Sequence, residues 1–138
     1  MAGLLTVSAV APELAAYLLA ASRRPFALGV DDCALFVARW IERARGKCLT
    51  GAYEELAQGS RTLPPRRMIR AWRSCGRLNG LPETGRALVG DAALVHDAGG
   101  LVGAIRTATG WARFGDRRVV VAPARVVVGW AIVPRDVD

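Results

Sequence analysis

The two halves of the chain are written in different periodicities, and that division constrains the fold more than any other feature. Up to about Gly80, apolar residues recur at every third or fourth position. From Gly90 onward they come in short runs, "DAALV", "LVGAI", "RVVVA" and "VVVGWAI", rich in β-branched residues. The later runs are broken by Gly110, Gly115, Asp116 and Pro123, and "HDAGG" between the first two favours a hairpin turn. Helical spacing first and strand runs afterwards predict an α+β domain, N-terminal helices packed on a small antiparallel β-sheet. With 138 residues, 52% of them apolar, and no repeat or linker, the chain reads as a single domain over 1–138 that folds without metal or disulfide.

Three helices are expected. Pro12 starts the first, with Leu14, Tyr17, Leu18 and Ala21 on one side and Arg23 and Arg24 at its end, before Pro25. The second is capped by Asp31 or Asp32 and carries Cys33, Phe36, Val37, Trp40, Ile41 and Ala44 at helical spacing, with Gly46 just past its end. Pro64 and Pro65 open the third, which turns Met68, Ile69 and Trp72 inward and stops at Gly76. Its other face aligns Arg66, Arg70, Arg73 and Arg77 at i, i+4, i+7 and i+11, with Arg67 beside them. A short helical turn with Tyr53 and Leu56 as buried contacts falls between Thr50 and Gln58. Among the tryptophans, Trp111 is the one expected to sit exposed on a hairpin.

Cys33, Cys48 and Cys75 cannot all pair within one chain and lack C-x-x-C spacing, so reduced thiols are expected and no metal or cofactor is implied. Pro12 and Glu13 interrupt the apolar N-terminus, which has no basic lead, so neither a signal peptide nor a membrane span is expected. The net charge of +7 is carried almost wholly by arginine. It fits an arginine-rich composition, or an anionic partner such as nucleic acid, cell-wall polymer or an acidic protein face.

A thiol at a helix start feels the positive end of the macrodipole and nearby unpaired N–H groups, which is how a cysteine nucleophile is commonly prepared. Asp31 and Asp32 oppose that effect if their carboxylates face the sulfur. The stretch "PFALGVDDCALFVARWIERARG" resembles the cysteine motif, roughly P-F-x-x-G-x-x-D-C before an apolar helix, of a small bacterial and phage family of unknown function. That family is similar to the NlpC-type papain-like cell-wall peptidases, and "VGDAALV" followed by "LVGAI" resembles its downstream strand pair. The resemblance runs from about Arg23 to Ile132. It implies a compact papain-like core with the cysteine at a helix start against an antiparallel sheet.

In active NlpC-type enzymes a histidine opens the second strand of that pair as general base. Laying "GDAALVHDAGGLVGAI" along the pattern puts Leu101 there, while the single histidine, His96, falls at the end of the preceding strand or in the turn. The polar residue that orients the base on a later strand has no counterpart in "TATGWARFGDRRVVVA", which holds no His, Asn or Gln. The resemblance thus implies a degenerate, structural domain carried near the tail tip of phages, prophages or gene transfer particles. Its expected location is the virion tail, or the bacterial cytoplasm before assembly, and its partners other tail or virion proteins. The alternative is an active cysteine peptidase or amidase on peptidoglycan stem peptides, with Cys33 and His96 as the catalytic pair. Asp32, Arg66, Arg70, Arg73 and Arg77 are the candidate binding residues. Nucleic acid ranks last as partner, because no recognised motif accompanies the arginines.

Overall fold

The computed structural model describes residues 5–23, 33–49, 64–97, 100–115 and 118–135. Within them are three helices, α1 (Val7–Arg23), α2 (Cys33–Arg45) and α3 (Pro65–Leu78), followed by strands β1 (Glu83–Thr84), β2 (Ala92–Asp97), β3 (Gly100–Arg106), β4 (Trp111–Gly115), β5 (Arg118–Ala122) and β6 (Arg125–Trp130). The expected α+β order is therefore present. Asp31, Asp32, Tyr53 and Leu56 lie outside the described residues, as does the Cys33 side chain. Among the described residues no helix is long and apolar enough to cross a membrane.

Two details of the helices differ from the sequence reading. Pro12 lies inside α1 rather than at its start. Leu5 N–H donates to the Ala44 carbonyl at 2.9 Å, so the chain is already tied to α2 before α1 begins. Gly76 does not stop α3, which runs on to Leu78 before Asn79 and Gly80 end it. Its role is spatial: a Cβ at position 76 would stand 2.6 Å from Trp130 Nε1. At α2 the reading holds, for Gly46 takes φ 69° and closes the helix through its N–H on the Glu42 carbonyl.

The six strands form one antiparallel sheet in the order β1-β6-β2-β3-β4-β5. The edge strand β5 and the next-to-edge strand at the other side, β6, are consecutive in the chain, with only Pro123 and Ala124 between them. Three Cα–Cα steps span at most about 11 Å. Four strand spacings in a flat sheet would be about 19 Å. The sheet must therefore curl strongly toward an open barrel.

Each face of the curled sheet has its own core. On one, Ala92, Leu94, Ile105, Ala112, Phe114, Val128 and Trp130 pack with the helices. Helix α1 lies against β5, α2 against β3 and β4, and α3 against β3. The other face gathers Ala93, Val95, Ala104 and Trp111 into a second cluster, completed by Ala87, Val102 and Ala124. Trp111 is only 3% exposed, which overturns the expectation of an exposed hairpin tryptophan. The composition of that face provides the reason: the small side chains of Ala87, Ala93, Ala104 and Ala124 leave room that one large ring fills.

Candidate functional site

The N-terminus of α2 and the β2–β3 hairpin meet on the helix-packed face. Val37 and Trp72 close on β3 at Gly103, where a Cβ would come within 3.0 Å of Val37 Cγ2 and 2.6 Å of Trp72 Cη2. Farther along α2, Trp40 Nε1 donates to the Gly90 carbonyl at 2.7 Å, and Gly90 N–H donates to the Arg106 carbonyl at the end of β3. Helix and strand therefore run in the same direction. One turn back from Val37, about 6 Å, is position 33. Two residues back from Gly103, about 6.6 Å, is Leu101. The start of α2 thus comes level with Leu101.

His96 is in the strand, not the turn. It pairs directly with Leu101 on β3 and with Arg125 on β6, and antiparallel partners share a face. Alternation from Leu94 puts that face on the helix side, so Leu101, His96 and Arg125 form one row across three strands. Leu101 is half-buried and packs on the main core, whereas His96 and Arg125 are exposed. The histidine is displaced from the expected base position by one strand, with Cα atoms about 5 Å apart in such a pair. Its neighbours in the row are an aliphatic chain and a guanidinium, and neither accepts a hydrogen bond from an imidazole N–H. The next residue, Asp97, alternates to the opposite face and binds Arg113 Nε through Oδ2 at 2.8 Å.

The candidate binding arginines stand elsewhere. Helix α3 buries Met68, Trp72, Cys75 and Gly76 and leaves Arg66, Arg67, Arg70, Arg73 and Arg77 exposed. Arg73 Nε meets Glu83 Oε2 at 3.2 Å with both side chains over two-fifths exposed, a contact worth little in water. Arg77 reaches Ser74 Oγ at 3.5 Å. Cys75 is buried and Cys48 exposed.

Asp91 was legible only as part of the "VGDAALV" strand motif, yet it joins more of the fold than any other polar side chain described. It is 0% exposed. Its Oδ1 accepts from Ile132 N–H (2.9 Å), Val133 N–H (3.3 Å) and Arg135 (3.0 Å), and Oδ2 from Leu88 N–H (2.8 Å) and Arg135 (2.6 Å). Gly90 beside it has φ 95°, and a Cβ there would meet Val10 and Val133 at 2.7 Å. The Gly-Asp pair is thus a structural clamp between β2 and the segment after β6. A carboxylate set immediately before a wholly apolar run was the available signal. Among the described residues, no cluster of three or more His, Cys, Asp or Glu could hold a metal ion.

A family model matches residues 6–132, and the chain belongs to that family, described as a domain of unknown function, DUF6950. No curated protein and no solved structure matches the chain.

Proposed function

We propose that this DUF6950 member is a papain-like, NlpC-related domain whose catalytic end has lost its base, and that it serves as a structural, tail-associated component of a phage, prophage or gene transfer particle. The observation that carries the reading is the row Leu101–His96–Arg125. A cysteine peptidase needs an imidazole in reach of its thiol, held by an acceptor on the other nitrogen. Here the position the resemblance gives to the base is aliphatic, and the strand partners of the imidazole, Leu101 and Arg125, carry no hydrogen-bond acceptor in their side chains. The helix start at Cys33 and the β2–β3 strand pair support the NlpC reading, but a fold does not carry its relatives' chemistry without the site. The tail location follows from the resemblance of the cysteine motif.

One observation favours the alternative. His96 shares both face and row with Leu101, so an imidazole stands one strand from the place a base would occupy. In that reading Cys33 attacks a stem-peptide amide, N–H groups at the start of α2 hold the oxyanion, and His96 returns the proton to the leaving amine. Incubation with purified peptidoglycan, followed by release of new amino groups, separates the two. The structural reading expects no release above a Cys33→Ala control. Release abolished by both Cys33→Ala and His96→Ala would establish the peptidase.

A further inference from the structure

We infer that the outer face of α3 is a docking surface for an acidic helical face of a partner protein, an inference that rests on the interaction role proposed above and names its chemistry. The helix contains no acidic residue, and none stands in its first turn. Arg66 and Arg67 instead occupy that turn, where cations oppose the macrodipole. Arg66 and Arg70, and Arg73 and Arg77, are like charges one turn apart, an arrangement that weakens an isolated helix. All five arginines are exposed on the side opposite Met68, Trp72 and Cys75. Of these five, Arg73 alone forms an ion pair with a described acidic residue, Glu83. Packing through Trp72 and Met68 holds the helix in place despite this local conflict. A solvated face gains nothing from such a pattern, whereas an anionic partner turns each repulsive pair into a shared contact.

The spacing selects the kind of anion. Arg66, Arg70, Arg73 and Arg77 climb in steps of about 6, 4.5 and 6 Å, a row about 16 Å long. Carboxylates at i, i+4, i+7 and i+11 on a facing helix repeat those steps. Guanidinium groups suit carboxylates through paired N–H contacts, and arginine is enriched at protein interfaces where lysine is depleted. Leu78, 64% exposed at the C-terminal end of this face, adds an apolar contact. Nucleic acid fits less well, because the aromatic residue of α3, Trp72, is buried on the other side and offers no stacking surface.

The test uses the full chain and a fluorescent alanine-based peptide with glutamates at i, i+4, i+7 and i+11, read by anisotropy at low and physiological salt. Binding is expected, and the Arg66→Gln/Arg70→Gln/Arg77→Gln variant should weaken it about tenfold or more while leaving the fold intact. The same variant should melt at or above the wild-type temperature, because it removes like-charge neighbours. Exposed Lys47, Arg86 and Arg118, changed together to Gln, provide the control at equal net charge. The inference is overturned if the wild-type chain does not bind the peptide, if the control variant loses as much affinity, or if duplex DNA binds more tightly and is released by the α3 variant. Both variants keep Cys33 and His96, so failure here leaves the reading of Cys33 standing, and failure of that reading is seen separately, as peptidoglycan cleavage.

Discussion

At the residue scale, the strongest physical demand is made by Asp91. A carboxylate with no exposure must have its charge met, and two backbone N–H groups after β6, one before β2 and both terminal nitrogens of Arg135 meet it. Removing one partner of such a buried pair leaves the other groups desolvated and unmatched. Asp91→Ala is therefore expected to cost about 3–5 kcal/mol, read as a lowered urea midpoint. A loss below 1 kcal/mol would mean that water reaches the clamp. Gly103 makes a smaller demand of the same kind, because Val37 and Trp72 already touch the space its side chain would fill. Gly103→Ala should destabilise by about 1–3 kcal/mol through overpacking, measured in the same titration. Neither role could be read from residue type alone. An aspartate before an apolar run is as compatible with a turn as with a clamp, and a glycine in a strand does not name the helix that presses on it.

At the element scale, α2 was the most legible part of the chain. Its stripe Phe36, Val37, Trp40, Ile41 and Ala44 is buried as its spacing requires, and Gly46 ends it. Tyr17 of α1 donates to the Phe36 carbonyl and stacks near both Phe36 and Trp40, so α1 and α2 share one aromatic seam. The start of α1 was misread because proline is commonest in a first helical turn, whereas here Leu5 anchors the chain a turn earlier. An interior proline forfeits one backbone hydrogen bond and crowds the preceding turn. Pro12→Ala should accordingly stabilise the protein by about 2 kcal/mol, the helix-propensity gain less the entropy lost from a freer unfolded chain. An unchanged urea midpoint would show that tertiary contacts already absorb the defect.

At the scale of the whole molecule, helices before strands were written in the sequence, and the curl was not. Hydrophobic period identifies a strand but says nothing of which strand lies beside it, so the two-residue step from β5 to β6 acquires meaning only once the sheet order is known. Trp111 is buried among alanines of the second cluster, and Trp111→Ala should cost about 3–5 kcal/mol, far more than an exposed tryptophan would. The candidate site was half legible. Cys33 could be placed at a helix start and the resemblance laid the base position on Leu101, but the register that sets His96 beside Leu101 and Arg125 is a pairing property that residue order does not contain. The most direct measurement is the pH dependence of Cys33 alkylation, with Cys48 and Cys75 replaced by alanine, in three chains: otherwise unchanged, His96→Ala and Leu101→His. A profile like that of a free thiol is expected in the first two, and a shift to markedly lower pH in Leu101→His, which puts an imidazole at the position proposed for the base. A low-pH profile in the otherwise unchanged chain that His96→Ala abolishes would contradict that expectation and make Cys33 and His96 a working pair.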